Sequence, residues 1–384
     1  MPWKEKSIME QRKEFVMLAS QEGANIRQLC CRYQISQTTA YKWLERYQRM
    51  GITGLESQSR KPTNSPKRSP ATVETKILKA RQAHPKWGAR KLKRWLEDRG
   101  SIGLPTASTV HAILQRHGQI SALDSAAHQP WTRFEHAAPN DLWQMDFKGH
   151  FALDTGRCHP LTVLDDHSRY VVCLGALDSE SFEATQGRLI QTFRRYGLPR
   201  WMTMDNGSPW GEPGRYTRFE LWLMRIGISV SHSRPYHPQT QGKDERFHRT
   251  LKAEVLQGKS FRDLAYSQQV FDHWLPVYNH ERPHDALNLN TPASRYASSP
   301  RTYPERLPTF EYNASDEVRK VQSAGEIYYR GHAYVLGRAF HREKVGLRRT
   351  VSDQSLQVYF GIHHVANIAL NEKSVSIIKH GKNA

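Results

Sequence analysis

The stretch of residues 233–256 constrains the fold of this chain most, because it joins a loop that excludes regular structure to a helix with one apolar face. Two prolines and a glycine interrupt its first half, and each opposes continuation of a helix or strand. Its second half places an apolar side chain at every fourth position, at Phe247, Leu251 and Val255. That period predicts a helix whose apolar face packs against a core, with Glu245 in its first turn.

Glu245 is followed on the same helical face by two basic side chains, Arg249 and Lys252. An acid with bases four and seven residues later is typical of a salt-bridged face exposed to solvent. Two upstream carboxylates favour a different interpretation. Asp146 lies in an apolar run rich in strand-forming residues, and Asp205 ends another such run directly before an Asn-Gly turn signal. We therefore expect the fold to bring three acids, from two strand ends and one helix, into a shared site.

Three carboxylates in this arrangement have the chemistry of a two-metal site for phosphoryl transfer. Carboxylate oxygens are the hard ligands that Mg²⁺ prefers, and the ion keeps positions for water and phosphate oxygens. Two such ions about 3.5–4 Å apart stabilise the attacking and the leaving oxygen of an in-line displacement. No other cluster in the sequence offers comparable chemistry, so Asp146, Asp205 and Glu245 are the predicted catalytic and metal-binding residues.

Several motifs within residues 141–296 resemble the integrase core of bacterial DDE transposases. In chain order they read WQMDF, MDNGSPW, HSRPYHPQTQGKDERFHRTLKAEVL and YNHERPHDAL followed by TPASRY. They are similar to the insertion-sequence group called the IS481 type, within the retroviral integrase superfamily. The resemblance implies an RNase H-like fold, the triad Asp146, Asp205 and Glu245, and two Mg²⁺ ions with Mn²⁺ as a substitute.

The resemblance also implies a two-step reaction on the terminal inverted repeats of an insertion sequence. A metal-activated water cuts the element's end and exposes a 3′-OH, which then attacks a phosphodiester of the target DNA in the same site. Gln239, Arg249 and Lys252 are expected to contact the end, and the loop 236–242 to close around it. No covalent protein–DNA intermediate is needed. Because two ends are joined, we expect a homodimer or higher oligomer in the DNA complex.

Two alternatives from other functional classes remain open at this point. One is a sequence-specific DNA-binding repressor with an inactive integrase-like core, although all three acids are present. The other is an RNase H-like nuclease that cuts DNA without joining it. A strand-transfer assay separates the nuclease from a transposase.

The charge of the chain is distributed unevenly. Its 384 residues, too many for one ordinary domain, carry a formal net charge of +19. Residues 136–316 contain equal numbers of basic and acidic side chains, so the whole surplus lies in the two flanking segments. Basic flanks favour a polyanion as the partner, and beside an integrase-like core that partner is double-stranded DNA.

The order of the predicted elements indicates a multidomain chain. We expect N-terminal all-α helix-turn-helix modules, a central α/β core and a small C-terminal all-β domain. The resemblance implies an RNase H-like integrase fold for the core, and the last domain resembles the SH3-like C-terminal domains of integrases. The expected boundaries are 1–56 for the first helix-turn-helix domain, 57–70 for a basic linker, 71–120 for a second helix-turn-helix domain, 121–139 for another linker, 140–300 for the catalytic core and 316–384 for a small β-barrel that binds DNA.

The first helix-turn-helix module has its third helix predicted at 37–50, with Ser36 as the N-cap. The last helix of such a unit enters the major groove of DNA. Its outer face carries five expected DNA contacts, the first three at base edges and the last two at phosphates, namely Gln37, Thr38, Thr39, Lys42 and Arg46. An ordinary bundle of small helices is the alternative interpretation.

The linker and the second module add further basic residues. Residues 57–70 contain three prolines and no acid, a composition typical of an extended segment that lies along DNA. Helices are predicted at 72–84, 88–99 and 108–117. The expected DNA contacts of these two segments are Arg60, Lys61, Arg90, Lys91, Arg94 and Thr109. A solvated basic helix is the alternative for the helix at 88–99.

The core is predicted to contain strands at 142–148, 161–164, 170–177, 201–204 and 228–231, and helices at 181–196, 218–225 and 260–279. Asp165 and Asp166 precede a hairpin turn, so we expect them to be structural. Short alternating runs after residue 316 predict five strands, and His363 is expected at the surface.

Other features bear on metal sites and on the compartment of the cell. The four cysteines have neither zinc-site nor disulfide spacing, so we expect buried thiols in a reducing cytoplasm. There is no signal-peptide pattern and no apolar run of the length that a membrane span needs. The expected localisation is the bacterial cytoplasm, in association with the nucleoid.

Overall fold

A computed structural model of the chain describes residues 7–57, 68–120, 135–205, 207, 210–211, 214–232, 242–350 and 354–379. The chain divides into two units, Met1–Arg68 and Ser69–Ala384. Among the described residues, no helix combines the length and the apolar composition that a membrane span requires. The domain boundaries within the second unit stay a prediction.

Three helices fill the first unit, and a polar side chain caps the start of each. Ser7, Asn25 and Ser36 each accept a hydrogen bond from a backbone N–H of the first helical turn, which satisfies groups that the helix itself leaves without partners. The helices are α1 (Ile8–Ala19), α2 (Ile26–Arg32) and α3 (Gln37–Met50). The predicted N-terminal helix-turn-helix fold is confirmed.

The core of the first unit combines one face of each helix with a 3₁₀ turn at Gly51–Leu55. Its buried members are Phe15, Val16, Cys30, Ala40 and Leu55. A Cβ atom at Gly54 would lie 2.3 Å from the backbone oxygen of Arg46, so this close approach of turn and helix requires glycine. The expectation of buried thiols is wrong for Cys31, which is exposed. Its neighbour Cys30 occupies the inner face of α2.

Three further helices begin the second unit. They are α4 (Ala71–Ala83), α5 (Ala89–Asp98) and α6 (Ala107–Arg116), each within one residue of the predicted ends. Trp87 and Leu92 are buried in their shared core. The buried carboxylate of Glu74 accepts a hydrogen bond from Arg116 Nη2 at 2.5 Å, so an ion pair fastens α4 to the end of α6.

The central sheet is mixed, as predicted. Its strands are β1 (Leu142–Phe147), β2 (Phe151–Ala152), β3 (Arg157–Asp165), β4 (Val171–Leu177), β5 (Trp201–Met204) and β6 (Ser229–His232). The strands β3, β1, β5 and β6 follow one another across the sheet, and both β4 and β2 pair with β3. β3 runs antiparallel to β1 and β4, whereas β1, β5 and β6 are parallel.

β3 is longer than the predicted strand 161–164, because Pro160 lies within it without ending it. Proline has no backbone N–H to donate, but the Pro160 carbonyl accepts a hydrogen bond from Lys148 N at 3.0 Å. The strand therefore begins at Arg157 and carries its apolar pattern through the proline.

Each face of the sheet is covered by its own pair of helices, because side chains alternate between the faces. Trp143 and Met145 pack in a core with α7 (Phe182–Tyr196) and α8 (Arg218–Arg225). Leu164 and Val171 pack in a second core with α9 (Gly242–Leu251) and α10 (Leu264–Pro276). The predicted α/β core is confirmed by this three-layer arrangement.

Two predicted helices end earlier than expected, each in a π-helical turn. The helix that carries Glu245 ends at Leu251 and continues as the π turn Lys252–Leu256. The helix expected at 260–279 is α10, which is followed by the π turn Val277–Glu281. α10 gives way at Pro276, whose ring and missing N–H disturb the helical hydrogen bonds.

The C-terminal region is all-β, as predicted, with two more strands than the sequence indicated. Five strands form one sheet in the order β13, β12, β11, β10, β7, and β8 pairs with β9. The strands are β7 (Glu317–Lys320), β8 (Glu326–Tyr329), β9 (His332–Val335), β10 (Lys344–Arg349), β11 (Ser355–Phe360), β12 (His363–Ala369) and β13 (Ser374–Ile377). The expectation that His363 lies at the surface is wrong. His363 is the first residue of β12 and is buried against α8, with its Nε2 atom 3.1 Å from Met224 O.

Candidate active site

Asp146 and Asp205 lie at the carboxyl ends of neighbouring parallel strands. The register pairs Gln144 of β1 with Thr203 of β5, and continuing it by two residues places Asp205 opposite Asp146. Because side chains alternate along a strand, both acids point to the face that α9 covers. The fold therefore brings together two acids that are far apart in the sequence.

Two contacts hold Asp205 itself. Gly207 N donates a hydrogen bond to Asp205 Oδ1 at 3.1 Å, which is the arrangement of an Asx turn. The backbone oxygen of Asp205 lies 2.8 Å from His232 Nδ1. Asn206, the turn residue singled out in the sequence, lies outside the described residues.

The two acids affect each other electrostatically. The pKa of Asp146 is raised to about 6, chiefly by burial and then by the negative charges of Asp205 and Glu180, against the opposing effects of a backbone hydrogen bond from Phe147 and the charge of Lys148. Two carboxylates held side by side repel each other. This pair of hard oxygen donors fits a divalent cation, whose charge would relieve that repulsion.

Glu245 lies in the first turn of α9, as predicted, but outside this pair. Its side chain is 66% exposed, and Arg249 Nε is 3.9 Å from its Oε1 atom. Lys252 is exposed in the π turn that follows. In the part of the chain that the structure describes, no three His, Cys, Asp or Glu side chains converge closely enough to hold a metal ion. The metal-binding role of all three acids stays a prediction.

Asp244, which the sequence analysis missed, occupies the buried face of α9 instead. It is 1% exposed, and its Oδ1 atom has no hydrogen-bond partner among the described residues. Burial raises the pKa of Asp244 well above its ordinary value, and the charges of Asp146 and Asp166 act in the same direction. The signal was available, because Asp244 precedes Leu251 by seven residues and shares its helical face.

His248 fastens α9 to the strands beside Asp146. The Thr162 hydroxyl donates to Asp146 O at 2.9 Å and lies 2.8 Å from His248 Nε2. Burial lowers the pKa of His248 to about 4, with Lys148 as a second cause. The imidazole is therefore neutral near pH 7, so it holds the helix as a hydrogen-bonding group and does not act as a charge.

Asp165 and Asp166 have structural partners, in line with the interpretation of them as structural residues. Asp165 accepts hydrogen bonds from the backbone of Asn140 at 2.7 Å and of Ser168 at 2.8 Å. Asp166 accepts from Gln144 Nε2 at 2.7 Å and pairs with the half-buried Lys243 of α9. These contacts fix the hairpin between β3 and β4 and anchor the start of α9.

The five predicted DNA contacts of α3 do not share one environment. Gln37, Thr38 and Lys42 are exposed. The Thr39 hydroxyl lies 2.9 Å from Ser36 Oγ in the N-cap. Arg46 Nη2 donates to Glu56 O at 3.0 Å, and its guanidinium lies 4.8 Å from the centre of the Trp43 ring, so this side chain holds α3 to the following turn.

The basic side chains of α5 face acids of the same unit. Arg90 and Lys91 each lie 3.5 Å from the carboxylate of Asp285. Arg94 pairs with Asp98 of its own helix at 2.8 Å. Thr109 is exposed in the first turn of α6. Lys91 is therefore not a solvated side chain, as the alternative interpretation of this helix required. DNA contact by these residues stays a prediction.

Three predicted DNA contacts, Arg60, Lys61 and Gln239, lie outside the described residues. Most of the loop 236–242 and most of the basic linker do so as well.

Five models of protein families match parts of this chain, and together they cover most of it. The integrase core domain matches residues 136–238, and a second integrase core model matches residues 226–292. A helix-turn-helix domain matches residues 11–63, and a homeodomain-like domain matches residues 39–114. The C-terminal domain of IS481 family transposases matches residues 316–376.

Among curated proteins, two from bacterial insertion elements are similar to this chain. A 39.2 kDa protein of insertion element IS476 from Xanthomonas euvesicatoria is 31% identical over 165 residues, which cover 43% of this chain and 46% of that protein. A 31.7 kDa protein of insertion element IS407 from Burkholderia multivorans is 26% identical, over 45% of this chain and 61% of that protein. The chain thus spans about half the length of the curated relatives it matches.

Solved structures include similar chains at low identity. A chain of the simian T-cell lymphotropic virus intasome, in complex with a regulatory subunit of PP2A, covers 79% of this chain with 17% identity and a TM-score of 0.37. That alignment covers 96% of the viral chain. The catalytic core domain of HTLV-2 integrase in complex with magnesium covers 42% of this chain and 99% of its own, with 17% identity and a TM-score of 0.33.

Proposed function

Because this chain belongs to the IS481-type transposases with an integrase core, we propose that it cleaves the ends of an insertion sequence and joins them to target DNA. The observation that carries the proposal is the placement of Asp146 and Asp205 at the carboxyl ends of adjacent parallel strands. Their negative charges favour divalent cations, to which a DNA phosphate can then bind. The helices α1–α3 before residue 68 and α4–α6 after it supply the two DNA-binding modules that such an enzyme needs.

The residues that would hold the divalent cations are Asp146, Asp205 and Glu245. Such ions, Mg²⁺ or Mn²⁺ as its substitute, would neutralise charge on the reacting phosphate and on the attacking and leaving oxygens. Glu245 is available for this role, because its side chain is exposed and its 3.9 Å contact with Arg249 is a weak surface pair.

The chemistry consists of two displacements at phosphorus. In cleavage, a water oxygen attacks the phosphorus at the element's end, the bond to O3′ breaks, and a free 3′-OH remains on the element. In joining, that hydroxyl attacks a target phosphorus, a new bond to O3′ of the element forms, and the target's own bond to O3′ breaks. Each step forms one phosphorus–oxygen bond and breaks one, so no protein nucleophile is needed.

The contribution of the protein to these steps is binding and orientation. Asp146 and Asp205, at the ends of adjacent strands, would hold the cations that neutralise the reacting phosphate. Arg249 is exposed on the helix that carries Glu245, and Lys252 is exposed in the π turn that follows it. Both contact phosphates of the element's end next to the site. Gln239 is the proposed contact from the preceding loop.

Recognition of the terminal inverted repeats is assigned to the helix-turn-helix modules. Gln37 and Thr38 at the start of α3 contact base edges, and Lys42 contacts phosphate. Eight further residues remain proposed DNA contacts, although several of them have partners within the protein. They are Thr39, Arg46, Arg60, Lys61, Arg90, Lys91, Arg94 and Thr109. Joining two ends requires at least two copies of the chain on the DNA.

The test is a joining assay with full-length protein. A labelled duplex that carries the element's end is incubated with supercoiled plasmid and Mg²⁺, beside an Asp146→Asn variant and a reaction with chelator. The proposal predicts labelled end covalently joined to plasmid, and no product in either control. Cleavage without joining would instead establish a nuclease, and tight binding of the end with neither product would establish a DNA-binding regulator.

A further inference from the structure

A buried network outside the acidic pair connects Asp205 to α8. His232, the last residue of β6, lies opposite Met204 in the strand register. Its Nδ1 atom is 2.8 Å from the backbone oxygen of Asp205, and its Nε2 atom is 2.8 Å from Oε1 of Glu220. The imidazole therefore bridges the end of the strand that carries Asp205 and a carboxylate of α8 that is 1% exposed.

Glu220 is itself held on three sides. It is the third residue of α8, and its Oε2 atom accepts a hydrogen bond from Thr217 N at 2.6 Å, while Glu220 N donates to Thr217 Oγ1 at 3.2 Å. This capping box fixes the side chain at the start of the helix. Lys379 Nζ lies 3.1 Å from Glu220 Oε1, which balances the buried negative charge. Glu220 is thus a rigid anchor for His232.

The loop after Asp205 is packed against the same imidazole. A Cβ atom at Gly211 would lie 2.5 Å from Cε1 of His232, so the backbone of the loop lies directly on the ring. The neighbouring Trp210 has its carbonyl bound by Thr217 Oγ1 at 3.0 Å and its ring stacked on Phe147 at 5.0 Å. Phe147 directly follows Asp146, so Trp210 contacts the end of β1, while Gly211 packs on His232 at the end of β6.

We infer that His232 and Glu220 are positioning residues that fix the carboxylate of Asp205, with Gly211 as the required close neighbour of the ring. His232 holds the backbone oxygen of Asp205, and Glu220 holds His232. The inference rests on the proposed function, since it assigns to Asp205 the role of a metal ligand.

The physical reason is that Asp205 stands at a strand end, where β-sheet hydrogen bonds no longer hold the backbone. Without a partner for its carbonyl, Asp205 would lose one of its two contacts, and only the hydrogen bond from Gly207 N would still orient its carboxylate. Groups that orient a metal ligand in this way influence metal affinity strongly, and their loss costs roughly 10- to 100-fold. The network acts on the geometry of the ligand, and it touches no reacting atom.

Two substitutions of His232 separate its two contacts. An Asn side chain places its amide nitrogen near the position of Nδ1, so His232→Asn keeps a donor for Asp205 O and loses the contact with Glu220. A Gln side chain reaches the position of Nε2, so His232→Gln keeps the contact with Glu220 and loses the one with Asp205. His363→Gln is the matched control, because His363 is also a buried strand histidine whose Nε2 faces a carbonyl, that of Met224.

The measurement is Mn²⁺ binding to the full chain, followed by the electron paramagnetic resonance signal of free Mn²⁺, with thermal unfolding of every variant in parallel. Wild type and Asp205→Asn are compared first. If they bind Mn²⁺ equally, Asp205 is not a ligand, and both the proposed function and this inference are overturned. If Asp205→Asn binds more weakly, the His232 variants test the inference alone.

The inference predicts that His232→Gln weakens Mn²⁺ binding roughly 10- to 100-fold, that His232→Asn restores most of the affinity, and that His363→Gln matches wild type. Glu220→Gln, which keeps the hydrogen bond of the capping box, should fall between the two His232 variants. Equal affinity of His232→Gln and wild type would overturn the inference. So would a loss of affinity that appears equally in all four variants and follows their unfolding temperatures.

Discussion

Lys91 Nζ of α5 lies 3.5 Å from Asp285 Oδ2, in the segment that follows the π turn after α10. The Lys91 side chain is only 13% exposed. Burial lowers the pKa of Lys91 to about 8, with the charge of Arg282 as the second cause. A side chain expected to contact DNA is thus held within the protein.

This contact predicts a specific dependence of stability on pH. The pKa of Lys91 is about 8 in the folded chain against an ordinary value of 10.5, so the unfolded chain binds more protons between these values. Lys91 therefore makes the free energy of unfolding rise as the pH increases across this window. Below the window, burial of the charged ammonium group lowers the free energy of unfolding. We expect Lys91→Met to be at least as stable as wild type at pH 7.

Urea denaturation of both proteins at several values between pH 7 and pH 10 measures this effect. Wild type should gain stability relative to Lys91→Met as the pH rises. A constant difference between the two proteins across the range would show that Lys91 keeps an ordinary pKa and is not buried.

Arg46 and Lys42 of α3 should separate stability from DNA binding. Arg46 donates to Glu56 O at 3.0 Å and lies over Trp43, so Arg46→Ala should lower the free energy of unfolding of the first unit by about 1–2 kcal/mol. Lys42 is exposed, and Lys42→Ala should leave stability unchanged while it weakens DNA binding and lowers the salt slope by about 1.

Chemical denaturation and DNA titrations at several salt concentrations measure both quantities. The assignment of Arg46 to stability and Lys42 to DNA binding would be refuted if Arg46→Ala kept the stability of wild type and lowered the salt slope of DNA binding.

Gln37 should contribute to the choice of sequence. It is the first residue of α3 and is exposed, and side-chain amides at the start of a recognition helix contact base edges. Gln37→Ala should reduce discrimination at one position of the inverted repeat by about 1–3 kcal/mol, with little change in binding to unrelated DNA. A competition assay against single-base variants of the repeat checks this. Equal weakening on every sequence would place Gln37 on the phosphates instead.

The helices, most strands and the family were predictable because their signals are local. Ser36 caps α3 as expected, and the spacing of Phe247 and Leu251 indicated the buried face of α9. The neighbourhood of Asp146 and Asp205 depends on the register of β1 and β5, which no local pattern encodes. The positions of both acids at predicted strand ends suggested a shared site, and the family resemblance implied the same pair.

What the sequence analysis missed depends on contacts between distant residues. Lys91 and Asp285 are far apart in the sequence, so a basic helix was expected to be free for DNA. His363 was assigned to the surface because the sequence shows no partner for it, whereas α8 covers it in the fold. Asp244 was overlooked beside Glu245, because a charged residue on a buried face contradicts the usual pattern.

Asp244 should destabilise the fold as the pH rises. Its raised pKa means that the folded chain keeps the proton after the unfolded chain has lost it near the ordinary value of 3.8. The free energy of unfolding therefore falls through this group as the pH rises above that value. Asp244→Asn removes the effect, and it should become more stable relative to wild type between pH 4 and pH 8.

Denaturation curves across that range provide the measurement, with Glu245→Gln as the matched control. Glu245 is the neighbouring acid and is exposed, so its variant should follow wild type at every pH. A parallel course of Asp244→Asn and wild type would mean that the Asp244 carboxylate is solvated.

The measurement that tests the central claim most directly compares these two neighbouring acids in the joining assay. Asp244 is buried and is affected by the charge of Asp146, whereas Glu245 is exposed on the same helical turn. Because the two residues are adjacent in the sequence, either one could be the third acid of the site. We predict that Glu245→Gln abolishes the covalent joining of a labelled element end to plasmid DNA and that Asp244→Asn retains it. Loss of joining in Asp244→Asn together with full joining by Glu245→Gln would contradict the assignment of the site.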